Sequence, residues 1–181
     1  VLALALAAFV CMSAFAGCSN NQTQGSSNSS QSSGESSADA SSDVLKIGFL
    51  GPLTGDAAQY GQAVQDGANL YIEEVNANGG VMGKQVELVS YDTKGDEVES
   101  LSAFNRLVSQ DKVDAILGEV TSAPTLAVAQ ESAKMDDPIP MITASATADE
   151  VTSYGDNMFR SCFLDPFQGE TMARYAKEVL N

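Results

Sequence analysis

From Val44 onward, apolar runs of strand length alternate with segments whose apolar residues recur at helical spacing, and this alternation restricts the fold more than any other feature. Val44-Leu45-Lys46-Ile47-Gly48-Phe49-Leu50 is mostly apolar and ends at Gly51-Pro52, as a buried parallel strand does. Asp56 with Gln59 reads as a capping box, and Val64, Ala68, Tyr71 and Val75 form one helical stripe that Gly79-Gly80 terminates. Val86 to Asp92 is a second strand. Asp96 with Glu99 caps the next helix, whose expected buried face is Val98, Leu101, Phe104, Leu107 and Val108. Val113 to Leu117 is a short strand, Ser122 to Ala133 a helix, Ile139 to Thr143 a strand, and Thr147 with Glu150 a further helix start. Asn157 to Phe163 reads as extended; Asp165 then serves as N-cap, Pro166 as N1 and Gln168 as capping partner of a last helix. Strand and helix in regular succession require right-handed parallel crossovers, so the expected fold is α/β, a parallel sheet with helices on both faces.

The segment ahead of Val44 has a different character. Val1 to Gly17 is a nearly unbroken apolar run of roughly 17 residues, close to the lower limit for spanning a bilayer, and no basic stop signal follows it. A processed export signal over residues 1–17 fits better than a permanent membrane helix. It opens without Met or basic residues, so a longer leader is expected upstream. Ala16-Gly17-Cys18 resembles the lipobox of bacterial lipoproteins, in which Cys18 carries the lipid, although Phe15 stands where an aliphatic residue is commoner. The alternative is an ordinary signal peptide with a coincidental cysteine. From Cys18 to Asp43 the chain is rich in Ser, Asn, Gln and Gly and has almost nothing to bury, so it reads as a disordered tether. A flexible coil of about 25 residues spans on the order of 25 to 30 Å.

Charge and cysteine content narrow the function. The chain carries 9 basic and 24 acidic residues, net −15; with Glu35, Asp39 and Asp43 assigned to the tether, the remainder keeps 21 acidic residues and a net of −12. Such a surface repels phosphate backbones, and no basic stripe interleaved with aromatics occurs, which argues against nucleic acid as a partner. Once Cys11 leaves with the signal and Cys18 is lipidated, Cys162 has no partner for an intramolecular disulfide, and it reads as a small packed residue.

Catalytic patterns fail one by one. The chain has no histidine, hence no Ser-His or Cys-His pair and no imidazole metal ligand. Gly79-Gly80-Val81-Met82-Gly83-Lys84 has the wrong spacing for a phosphate loop and sits between a helix and a strand, so it reads as a turn. Asp92, Asp96 and Glu97 read as loop and cap carboxylates rather than a metal site, and no cofactor is implied. What remains is a set of hydroxyls beyond the carboxyl ends of strands, where open α/β sheets bind ligands: Ser122 at a helix N-terminus, and Ser145 and Thr147 in the following loop. Hydroxyls beside free helix N–H groups suit a carboxylate, but Ser122 and Thr147 are equally readable as helix caps.

Leu45-Lys46-Ile47-Gly48-Phe49-Leu50-Gly51-Pro52-Leu53-Thr54-Gly55, then Tyr60-Gly61, then Val75-Asn76-Ala77-Asn78-Gly79-Gly80-Val81-Met82-Gly83-Lys84, Gly118-Glu119-Val120-Thr121-Ser122 and Thr143-Ala144-Ser145-Ala146-Thr147 together resemble the branched-chain amino acid (Leu/Ile/Val) binding proteins of ABC importers. The resemblance covers residues 44 to 181. It implies a type I periplasmic-binding-protein fold in which two lobes close on a ligand and hand it to a membrane permease, with no catalysis. Residues 44–164 would form the N-terminal lobe and 165–181 the start of a second one, still running at Asn181, so the missing remainder would hold the acidic residue for the ligand ammonium. By position, Ser122 and Thr147 would hold the ligand carboxylate, the Ser145 carbonyl would accept from the ammonium, Tyr60 would line the pocket, and Thr121 and Ala146 would complete the binding set. Gly95 and Thr121 stand where some members have a disulfide, and Pro124 removes one N–H from the turn after Ser122. The expected protein is thus a lipid-anchored, extracytoplasmic amino-acid receptor; a sensor for amides, urea or other small polar metabolites and an extracytoplasmic enzyme using carboxylates are the alternatives.

Overall fold

A computed structural model describes residues 44–180; the expected signal segment, Cys18 and the tether lie outside the described residues. Five strands, β1 (Leu45–Gly51), β2 (Val86–Asp92), β3 (Ala115–Leu117), β4 (Met141–Thr143) and β5 (Met158–Arg160), form one sheet in the order β2-β1-β3-β4-β5. Every adjacent pair is parallel. The helices are α1 (Ala58–Ala77), α2 (Glu97–Arg106), α3 (Ser122–Ser132) and α4 (Asp165–Tyr175).

Alternate residues of each strand face different layers. Leu50, Ile116, Met141 and Met158 point to the side of α2 and α3, where they form the core with Phe104, Leu107, Val113, Val128 and Ala129. Ile47, Leu88, Leu117 and Ile142 point to the opposite side and share an apolar cavity of about 320 Å³ with Ala68, Ile72 and Val75 of α1. Helices on both faces of a parallel sheet are the expected architecture.

Local expectations meet the structure unevenly. Asp96 caps α2 as expected, its carboxyl accepting from the Val98 and Glu99 amides, but Glu99 turns to Lys94 at 3.5 Å instead of closing the box. Val98 is 74% exposed, and the buried stripe of α2 runs through Ser100 and Phe104 instead. Tyr71 is 67% exposed but still lines the sheet-facing cavity, and Ile72 joins Ala68, Tyr71 and Val75 there. The Asp56 box does not form, because α1 starts at Ala58 behind Ala57 with no side-chain cap. At the other end α1 stops before Gly79 and Gly80, both at positive φ, and Asn76 pins it to β2 by exchanging two hydrogen bonds with the Val86 backbone at 2.7 and 2.8 Å. Val81 and Lys84 then close a tight antiparallel turn, as read from the sequence. No helix among the described residues is long and apolar enough to cross a membrane.

Candidate functional site

The order of strands places the site. The chain leaves β1 in one direction to β2 and crosses to the other side for β3, so the crevice at the carboxyl ends of β1 and β3 is the topological switch point, where sheets of this kind bind ligands. Three loops converge there: 52–57 after β1, 118–121 after β3, and 144–148 after β4. A cavity of about 230 Å³ lies there, lined by Tyr60 of α1, Val120 and Thr121 of the loop after β3, Ser122 of α3 and Ser145 of the loop after β4.

Each loop is held by a specific device. Asp92, the last residue of β2, accepts from the amides of Leu53 (2.8 Å), Thr54 (3.2 Å) and Lys94 (2.9 Å) and from the Thr54 hydroxyl (2.5 Å). Partial burial works against its charged form, but the Thr54 hydroxyl and these three amides outweigh it and hold the carboxyl at about 2. With the β1 loop so fixed, Gly61 packs on it: a Cβ there would lie 1.9 Å from the Pro52 carbonyl oxygen, so only glycine lets α1 approach closely enough to bring Tyr60 to the cavity. Gly118 has the same need on β3, with φ +132 and a Cβ position 2.3 Å from the Leu50 carbonyl oxygen.

The β4 loop is clamped from two sides. The Arg160 guanidinium donates to the carbonyls of Ala148 (2.5 Å) and Ala146 (3.3 Å), on either side of Thr147, and to the Thr152 hydroxyl (3.3 Å). On the other side the Ser145 hydroxyl donates to the Val120 carbonyl (2.5 Å), and the Ala148 amide donates to the Ser122 hydroxyl (3.4 Å).

Of the six residues expected to bind ligand, Tyr60, Thr121, Ser122 and Ser145 line the cavity together. Tyr60 is 56% exposed. Ala146 is fully buried with its amide on the Thr143 hydroxyl, and Thr147 is half-buried in the adjoining loop; neither is on the cavity wall. The capping readings fail for both hydroxyls. Thr121, not Ser122, is the N-cap of α3, and no side chain caps that helix. Beyond Thr147 the chain makes only a 3-10 turn, Asp149–Ser153, behind Ala148, with no capping side chain. Asp165 is likewise the first residue of α4 behind Leu164, and its amide donates to the Thr147 carbonyl at 3.1 Å. The Thr121 and Thr147 hydroxyls and the Ser145 carbonyl have no hydrogen-bond partner among the described residues.

Asp92, Glu119 and Arg160 were not singled out as site residues from the sequence. Glu119 carries a usable signal, since a carboxylate between Gly118 and Val120 at the end of an apolar strand is out of place unless it is partnered. No group of three or more potential metal ligands occurs among the described residues. Cys162 is unpaired and sits against the Ala146 carbonyl at 3.3 Å.

A family profile for periplasmic binding proteins matches residues 44–180. The chain is 39% identical, over 139 residues, to the leucine-, isoleucine-, valine-, threonine- and alanine-binding protein of Pseudomonas aeruginosa, a match covering 75% of this chain and 36% of that protein. It is similar to the structure of the branched-chain amino acid transporter substrate binding protein from Streptococcus pneumoniae in complex with isoleucine, with 41% identity and a TM-score of 0.72 over 76% of this chain and 39% of that one. A leucine binding protein from Thermotoga maritima gives 38% identity and a TM-score of 0.67, covering 76% of this chain and 38% of that one. The chain therefore spans well under half the length of these relatives. The profile match and the sheet order agree: the chain belongs to the periplasmic binding protein family and carries its type I α/β fold.

Proposed function

We propose that the chain is the ligand-capturing part of an extracytoplasmic amino-acid receptor that serves an ABC importer. The observation that carries this reading is the cavity at the switch point, where the Thr121 and Ser122 hydroxyls meet the free amides of the first turn of α3 and the Ser145 carbonyl faces no internal donor. Hydroxyls and helix N–H groups suit a carboxylate; a bare carbonyl suits an ammonium. An α-amino acid presents both within one carbon. Ser122 on the cavity wall and Thr147 in the loop adjoining it would hold the carboxylate, the Ser145 carbonyl the ammonium, and Tyr60 and Thr121 would shape the walls, with Ala146 buried behind them. The isoleucine bound by the Streptococcus pneumoniae relative supports an aliphatic side chain.

In this reading residues 44–164 form one lobe, 165–181 begin a second, and the ligand is enclosed between them without catalysis. Residues 1–17 direct export, and a lipid on Cys18 with the tether to Asp43 holds the receptor at the membrane beside its permease. Calorimetric titration of the complete protein with isoleucine, leucine and valine tests the reading. Saturable binding of at least one of them is expected; none binding, while an amide or urea does, would favour a receptor for other small polar metabolites. Cys18→Ala is expected to shift the complete protein from the membrane to the soluble fraction, and retention on the membrane after an alkaline wash would refute the anchor.

A further inference from the structure

Six polar side chains are fully buried among the described residues, and four of them, Thr93, Ser100, Glu119 and Thr143, belong to one network directly beneath the cavity. The Glu119 carboxyl is its centre. One oxygen, Oε1, accepts from the Thr93 hydroxyl at the end of β2 and lies 3.2 Å from the Ser100 hydroxyl of α2. The other, Oε2, accepts from the Val120 amide at 2.9 Å. The Glu119 carbonyl accepts from the Thr143 hydroxyl of β4 at 2.5 Å, and that same hydroxyl accepts from the Ala146 amide at 3.1 Å. Val120 passes the network on, because its carbonyl holds the Ser145 hydroxyl.

We propose that Glu119 is a positioning residue for ligand binding, fixing the loops 120–122 and 145–147 in register with each other; the proposal rests on the reading of this cavity as the ligand site. Glu119 touches no ligand itself. Its carboxyl leads by one hydrogen bond to Val120 and its main-chain carbonyl by another to Thr143, and from those the network reaches Ser145 and Ala146, so both walls of the cavity are referred to one buried residue. A fully satisfied buried polar network of this kind rigidifies the segments it joins. Stability alone does not call for a carboxyl here, since apolar groups of similar volume commonly replace buried polar clusters at little cost. An apolar replacement gives the Val120 amide no acceptor.

The test uses the complete protein with isoleucine as probe, reading calorimetric affinity, melting temperature and amide hydrogen exchange. Glu119→Gln keeps an oxygen for the Val120 amide while its NH₂ meets the Thr93 and Ser100 hydroxyls, which rotate to accept; its affinity is expected within about threefold of wild type. Glu119→Leu fills the volume without an acceptor and is expected to bind about tenfold more weakly or worse at a temperature where it remains folded. Exchange at 120–122 and 145–147 is expected to quicken in the Leu variant. Should that variant not fold, Thr93→Val removes one donor that is not itself on the cavity wall and is expected to weaken binding severalfold. A folded Leu or Val variant with wild-type affinity, or equal losses for Gln and Leu, overturns the proposal. If the wild type binds no amino acid, the receptor reading fails instead, and the exchange rates of the two loops still decide whether Glu119 positions them.

Discussion

Ser122 and Thr147 owe their availability to the backbone around them: α3 is entered from Thr121, and the segment after Thr147 never becomes an α-helix. Their hydroxyls contribute nothing to capping, so each is free to give a ligand carboxylate a charge-assisted bond. Ser122→Ala or Thr147→Ala in the complete protein is expected to cost about 1.5–3 kcal/mol of binding, roughly 10- to 150-fold in affinity, with little change in melting temperature. A fall in stability without a fall in affinity would contradict this. Asp92 works in the opposite sense, for the fold. Its folded pKa of about 2 lies below the unfolded carboxyl value, so its contribution is present above about pH 4 and is lost as pH falls towards 2. Denaturant melts across that range should show Asp92→Asn to be less stable than wild type by about 1–2 kcal/mol at neutral pH, after allowance for partial solvent screening, with the difference closing in acid.

At the scale of elements, β5 braces the β4 loop, since Arg160 grips the carbonyls on both sides of Thr147. Arg160→Ala is expected to raise amide exchange across 146–152 and to lower stability by about 1–3 kcal/mol, whereas an unchanged exchange pattern would show the clamp to be idle. The strands were legible in the sequence because their apolar runs are bounded by Gly and Pro and must be buried whatever else happens; β2 matches residue for residue. Helix starts were less legible. Asp56-Gln59 and Thr147-Glu150 have the spacing of capping boxes, but such residues suit loops equally, and the Gly61–Pro52 contact and the Arg160 clamp set the backbone there. Val98 was expected inside because it is apolar; Ser100 goes inside because Glu119 is there to meet its hydroxyl. The hydroxyls of the site could be read from their places after strands, and Glu119 could have been flagged by its setting in an apolar run, while the long-range bonds of Asp92 to the β1 loop and of Arg160 to the β4 loop leave no local pattern.

Over the whole molecule, the two faces of the sheet are covered unequally. α2 and α3 seal one face, but α1 covers only the β1–β2 side of the other, leaving Ile142 41% and Phe159 53% exposed beside the larger apolar cavity. Residues 44–181 expressed alone are therefore expected to self-associate, and Phe159→Lys should shift their sedimentation towards the monomer. An unaltered sedimentation profile would place the contact elsewhere. The sheet order has a temporal consequence as well. β1 is made before the other four strands of this sheet yet lies inside it, and the partner of its second edge, where Lys46 meets Asp114, is made 68 residues later. At about 5–20 residues per second this leaves an apolar strand with one open edge for several seconds of synthesis. A strand whose edge stands open in this way is a template for pairing with a second chain, so the unfinished sheet is expected to associate more readily than the completed one.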